Sequence, residues 1–386
     1  MDKEYYEAIS TMVGFIIGAG ILGIPFVIAK SGFLIGVIDI LVIGTIFLFR
    51  NLYLGEIILR TKGTHQLSGI SEIYLGSIGK WLMSFSLLFG LTGAIIAYII
   101  KGGEFLNVLF QPSFGGSPIL YSLLFFVIMT ALVKRGIKMV EKSELYMVGT
   151  IMVIIVVLLF ISFKHINPAN LATINAEQIF LPFGVIMFAL LGTAAIPEMK
   201  IVLEKKKHLI KKAIIWGSII PVVIYILFAF IILGITGSST TDGAILGLQS
   251  VLGYKVMVIG ILFGLLTMAT SFIAIGIALK EVYMFDYKIK PHTSYIMACY
   301  IPLAFTLLIF ITNIGHAFFT ILDITGIFAG GIVGFLVVPM IWKAKKHGKR
   351  KPEYIIKDNY VLEWSIIVIS ALGMIFEFLR YGGIFG

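Results

Sequence analysis

Gly18-Ala19-Gly20-Ile21-Leu22-Gly23-Ile24-Pro25, with Gly14 one turn earlier, interrupts an otherwise continuous apolar run over residues 8–29. Glycine weakens a helix interior, and proline removes an amide donor and crowds the preceding turn. A second run of the same kind, Phe188-Ala189-Leu190-Leu191-Gly192-Thr193-Ala194-Ala195-Ile196-Pro197-Glu198, interrupts the apolar stretch at 178–198. Glycines in membrane helices often serve only to let neighbours pack closely. That role does not explain why the two interruptions hold equivalent places in two sets of five apolar segments. In hydrocarbon, unpaired backbone is tolerated where it lines a cavity or meets a ligand.

The rest of the chain supplies the hydrocarbon setting. Of 386 residues, 59% are hydrophobic and 13% charged, and the mean hydropathy is +1.04. A soluble domain carries about 25% charged residues, so this chain has no aqueous surface to match. Apolar segments fall at 8–29, 33–58, 81–108, 118–133, 145–163, 178–198, 209–236, 253–280, 293–312, 317–342 and 361–380. A helix needs about 20 such residues to cross a bilayer, and only helices or closed barrels satisfy their backbone there. The alternation of a barrel strand is missing, so the reading is an all-α integral membrane protein with eleven transmembrane helices, one domain over 1–386. The polar start of the chain carries both signs of charge and lacks the basic start and cleavage site of a signal peptide, so the first helix is expected to be retained. Cys299, the single cysteine, lies in an apolar run and reads as a small buried residue.

The formal net charge of +10 would raise nucleic acid as a partner in a soluble protein. Here the basic residues cluster between apolar runs. Arg60, Lys62 and Lys80 form one cluster, and Lys134, Arg135, Lys138 and Lys142 the next. Lys200, Lys205, Lys206, Lys207, Lys211 and Lys212 follow, then Lys280, Lys288 and Lys290, then the run from Lys343 to Lys357. The intervening connections hold almost none; Gln111–Pro118 and Thr312–Ala317 have no basic residue. Cytoplasmic loops retain positive charge. The expected placement is a plasma membrane with the amino terminus cytoplasmic and, after an odd number of crossings, the carboxyl terminus outside.

Interrupted segments at matching positions point to a transporter binding site within an inverted repeat. An odd number of helices per half inserts the second half upside down. Repeat one would span about 8–163 and repeat two about 178–342, with 361–380 accessory. A broken helix presents free amides that attract anions and free carbonyls that attract cations. Amides of Ala19, Gly20 and Ile21 suit a carboxylate, and carbonyls near Phe188, Ala189 and Leu190 suit an ammonium. A site offering both fits a zwitterion, the common part of every amino acid.

At these residues the chain resembles the amino acid–polyamine–organocation superfamily, which has the LeuT-type fold. The Gly-x-Gly-Ile-Leu-Gly-Ile-Pro run, Phe26 and Lys30-Ser31-Gly32-Phe33 are similar to the amino acid/auxin and aromatic amino acid permease branches. Ala97-Tyr98, Thr270-Ser271-Phe272 and Thr325-Gly326-Ile327-Phe328 extend the likeness over most of the chain. The resemblance implies a secondary amino acid transporter with a 5+5 inverted repeat, importing a neutral amino acid, aromatic or large aliphatic, with sodium or protons. Gly18, Ala19, Gly20 and Ile21 would bind the substrate carboxylate, Phe188 would be a lid, and Ala189, Leu190, Gly192 and Thr193 would complete the second break. Tyr98 would help hold the carboxylate, or else sit in an aromatic belt at the interface. A sodium ion would lie among the Gly14 and Ile17 carbonyls with Thr267, Thr270 and Ser271. Those three share one helical face, though such hydroxyls also commonly bond back to their own helix. A second sodium is not expected, because Ile21 stands where relatives with that site carry asparagine.

Some proton-coupled relatives place a lysine in the fifth helix, and Glu144–Phe163 has none inside. Glu198, just past the second break, is the candidate for proton coupling, since ionisable groups inside membranes are functional candidates. Glu56 fits an i,i+4 pair with Arg60. Asp323 and His316 are expected at the interface. Ala194, Ala195, Gly90 and Gly93 leave space for a substrate side chain. The six histidines are scattered without metal-ligand spacing, so no enzyme and no cofactor other than sodium is expected. The expected partners are an amino acid, a coupling cation (sodium or proton) and the bilayer, with no nucleic acid. Monomer and weak dimer both stay open, as do a non-transporting sensor and an uncoupled exchanger.

Overall fold

In a computed structural model, residues 3–63, 65–135, 137–312 and 316–381 are described, and their regular structure is helical throughout. The first segment is α1 (Lys3–Ile16) and α2 (Gly20–Ser31), bent by 52° between them. Next come α3 (Phe33–Arg60), α4 (Leu67–Phe114), α5 (Pro118–Arg135) and α6 (Ile137–Ser162). A connection of single 3-10 turns leads to α7 (Pro182–Ala189) and α8 (Ala195–Val202), the two halves of the sixth segment. Then follow α9 (Ile210–Thr236), the one-turn α10 (Gln249–Leu252), α11 (Tyr254–Glu281), α12 (Pro291–Thr312), α13 (Ala317–His347) and α14 (Tyr360–Tyr381).

Among the described residues nine helices are long and apolar enough to cross a membrane alone, and the bent α1–α2 pair makes ten. The α7–α8 pair completes the eleven segments of the sequence reading; its halves, eight residues each, are too short to cross singly. The third segment differs most from expectation. Its helix begins at Leu67 rather than near residue 81, and Gly76 (φ 76°, ψ −164°) splits it. Residues 67–75 carry serines and Glu72, so hydropathy does not register them although they are helical.

The basic connections gather at one end of the bundle. There Lys206 pairs with Glu4, Lys200 donates to the Ile58 and Gly63 carbonyls, and Arg350 donates to the Leu59 carbonyl. The side chains of Lys138 and Lys142, and residues 313–315 of the Thr312–Ala317 connection, lie outside the described residues. Glu56 is fully buried as expected of a structural pair: Arg60 binds one of its oxygens at 2.8 Å, and the Ile356 amide donates to the other at 2.6 Å. Asp323 departs from the interfacial reading. It is fully buried and pairs with Arg380 of α14 at 2.9 Å, because Gly184 lets α13 approach α7 closely enough to cover it.

The two broken segments lie crosswise. α1 packs on α8 at the basic end, and α2 packs on α7 at the far end. The half before one break therefore meets the half after the other, which is the arrangement that opposite insertion requires. α13 lies along α4 and α7, and α3 along α9, forming the walls around this centre.

Candidate functional site

The two breaks touch. A Cβ added at Gly20 would sit 2.6 Å from Ala189 Cα and 3.2 Å from Phe188 Cδ1, so only a glycine lets α2 start this close to the end of α7. Ala19 occupies the N-cap of α2, and Gly20 and Ile21 its first turn, where amides have no partner within the helix. These are the amides expected to meet a carboxylate. At the second break, the Leu191 amide donates to the Phe188 carbonyl at 3.0 Å. Tyr225 of α9 donates to the Ala189 carbonyl, at 2.8 Å. The Ala189 carbonyl keeps a second lone pair that a ligand could use. Gly192 faces away from this space and packs on Ile16 and Met12, whereas Thr193 borders it.

Tyr98 is 2% exposed, which excludes the interfacial belt. Its hydroxyl presses against Gly18, and the Ser271 hydroxyl borders the same glycine. Ser271 in turn lies 2.6 Å from the Gly14 carbonyl and 3.0 Å from that of Ile17. A hydroxyl has one proton, so these three oxygens cannot all be paired by it. Thr270 bonds to the Thr267 carbonyl at 2.7 Å, and Thr267 to that of Gly264 at 2.9 Å. Of the five residues of the sodium reading, Ser271 reaches across to Gly14 and Ile17 of the first segment, while both threonines bond back along α11.

A chiefly apolar cavity opens beside the breaks towards the basic end. Phe15, Phe188 and Leu191 border it, and Gly90, Ala94 and Ala194 leave its walls thin. Two small residues counted on for space do not line it. Gly93 is filled by the Thr325 side chain, and Ala195 is fully buried in packing.

Glu198 lies beyond this cavity at the basic end. The Gln66 amide donates to Glu198 at 3.1 Å and to Glu281 of α11 at 2.9 Å. Asp286 accepts from the Gly69 amide at 3.1 Å and from Ser68, capping the start of α4. The loop before α4, α8 and α11 are thereby tied together. At the far end Lys101, fully buried on α4, pairs with Glu104 at 2.6 Å and with Asp242 of the α9–α10 loop at 3.3 Å. Its ammonium also lies 4.6 Å from the Phe318 ring centre.

A family model described as the tryptophan/tyrosine permease family matches residues 1–377. This chain belongs to that family. The permease is 25% identical over 94% of its length to the "Tyrosine-specific transport system 1" of Haemophilus influenzae, covering 93% of that protein. It is 21% identical to the "Glutamine transporter 2" of Aliivibrio fischeri, over 72% of this chain and 74% of the other. Among solved structures it superposes on MhsT in complex with L-phenylalanine with TM-score 0.73, 14% identity and 97% of each chain covered. Mhp1, a nucleobase-cation-symport-1 family transporter in a closed conformation, gives TM-score 0.65 at 12% identity, over 86% of this chain and 77% of the other. The permease is a LeuT-type secondary amino acid transporter and not an enzyme.

Several residues around the site escape sequence reasoning. Tyr225 is an ordinary tyrosine in an apolar helix, and its partners lie 36 and 209 residues away. Lys101 and Arg50 did carry a signal, as lone charges inside apolar segments. Arg50 is 1% exposed, donates to the Gly330 carbonyl at 3.1 Å and lies over the Phe47 ring, fixing α3 to α13.

Proposed function

We propose that the permease imports an aromatic or large aliphatic neutral L-amino acid by alternating access, coupled to sodium. The observation that carries the coupling is the convergence of the Gly14 and Ile17 carbonyls with Ser271, at the end of α1 and the start of the first break. These oxygens are neutral and buried, and a dehydrated hard cation takes several such ligands. Thr270 and the Thr267 carbonyl lie within one turn of Ser271 and would complete the set by modest rotation. The substrate carboxylate meets the amides of Ala19, Gly20 and Ile21 with Tyr98 beside them, and its ammonium meets the carbonyl end of α7. Its side chain enters the apolar cavity, with Phe188 over it. The thin walls at Gly90, Ala94 and Ala194 support a large side chain, and the name of one relative, a tyrosine-specific transport system, agrees with it. The concentration of basic residues at one end supports a cytoplasmic position for that end, with the amino terminus inside and the carboxyl terminus outside.

Proton coupling is the second reading, favoured by one observation. Glu198 and Glu281, both buried, receive the same Gln66 amide, and the pair offers a proton a place at the basic end. The test of substrate is uptake of labelled L-tyrosine, L-tryptophan and L-leucine into proteoliposomes, with unlabelled glutamine as competitor. Saturable uptake of the aromatic acids, resistant to glutamine, supports the proposal. Binding without uptake under any condition makes the chain a sensor, and uptake only against preloaded amino acid makes it an exchanger.

A further inference from the structure

Tyr225 links the two breaks through one atom. Its hydroxyl lies 2.7 Å from the Ile16 carbonyl, at the end of α1, and 2.8 Å from the Ala189 carbonyl, at the end of α7. Both are carbonyls at the negative end of a half-helix, in a residue environment with no exposure. Two such ends brought together repel unless something positive stands between them. The sequence explains how the phenol reaches this point. Gly217 lets α9 approach α1 until a Cβ there would meet Met12 at 2.6 Å. Pro221 and Tyr225 follow at four-residue steps on the same face, so close approach at the glycine aims the tyrosine at the break.

We infer that the Tyr225 hydroxyl takes the place of a cation between the two half-helix ends and is a positioning residue for the substrate ammonium. One proton serves two carbonyls, so the phenol can donate fully to only one of them at a time. The other is left for the ammonium, which is thereby steered to the junction of the breaks. The site consequently needs one travelling cation, the one at Ser271, and not two. This rests on the transport reading for its kinetic consequences, but the bracing of the breaks stands without it.

Tyr225→Phe keeps the ring and removes the hydroxyl. Two measurements on purified, monodisperse protein separate the inference from the transport reading. The first needs no substrate: hydrogen–deuterium exchange of peptides covering 12–22 and 186–196. Faster exchange at both breaks, with peptides of α13 unchanged, is the expected result; unchanged exchange at either break overturns the brace. The second is kinetic. The variant should raise KM for the transported amino acid at least tenfold with a much smaller change in maximal rate. The unaltered protein should show a Hill coefficient near one for its coupling cation. An unaltered KM in Tyr225→Phe, or a Hill coefficient near two in the unaltered protein, overturns the cation-substitute role. Absence of any uptake in the unaltered protein defeats the transport reading and leaves the exchange measurement to decide the brace.

Discussion

Gly20→Ala places a single methyl group at the contact between the breaks. The new Cβ would lie 2.6 Å from Ala189 Cα, 2.7 Å from Ala189 Cβ and 3.2 Å from Phe188 Cδ1. Relaxed carbon–carbon contacts are about 3.5–4.0 Å, so two of these contacts are short by about 1 Å. Ala189 Cα is backbone at the end of α7, held by Tyr225 through its carbonyl, and cannot turn aside as a flexible side chain would. The start of α2 and the end of α7 must therefore separate. Overpacking of this kind costs about 1–3 kcal/mol. If the substrate binds across both breaks, its affinity falls by about 5- to 150-fold. Gly149→Ala is the matched control, since its Cβ would meet nothing within 4 Å. Equilibrium binding of labelled L-tyrosine to detergent-purified protein reads the difference. Wild-type affinity in Gly20→Ala, with the control also unchanged, would refute the placement of the substrate at the junction.

Three further outcomes follow from the same geometry. Ser271→Ala removes the one hydroxyl that reaches the Gly14 and Ile17 carbonyls; losing one ligand costs about 1–3 kcal/mol. The sodium concentration for half-maximal uptake should rise at least fivefold, and an unchanged sodium dependence would count against the site. Asp242→Asn weakens the hold of Lys101 on the α9–α10 loop, so a cysteine at Ala244, fully buried here, should react several-fold faster with a thiol reagent when Cys299 is first replaced by alanine. Equal labelling rates with and without the asparagine would show that the pair does not hold the loop. Glu56→Gln breaks a pair whose arginine is 13% exposed, so the loss is on the order of 2 kcal/mol, below the cost for a fully buried pair. It should lower the melting temperature while leaving KM unchanged, and a raised KM would give Glu56 a role in transport.

The broken segments were legible because glycine and proline act locally. Gly18, Gly20 and Pro25 mark the first break, and Gly192 and Pro197 the second, whatever surrounds them. Hydropathy likewise marked most segments to within a few residues, because a bilayer selects length and polarity directly. It did not mark 67–75, since a helical stretch carrying Ser68, Ser71 and Glu72 lacks the apolar run that carries the signal. The candidate cation site was legible through the resemblance alone; spacing shows that Thr267, Thr270 and Ser271 share a face, not that Ser271 alone faces α1. Tyr225 and Gln66 are decided by contacts across long sequence separations, which no local pattern encodes. Gly192 and Gly93 show the converse limit, since a glycine reads the same whether it opens space or receives a neighbour's side chain.

The central claim is that amino acid movement is driven by a cation bound between α1 and α11. Its most direct test is accumulation of labelled L-tyrosine in proteoliposomes under an imposed sodium gradient, an imposed proton gradient, or neither. The expected result is accumulation above equilibrium with inward sodium alone, needing at least fivefold more sodium in Ser271→Ala. Accumulation driven by protons in sodium-free buffer, undiminished in Ser271→Ala, would contradict it and move coupling to Glu198 and Glu281.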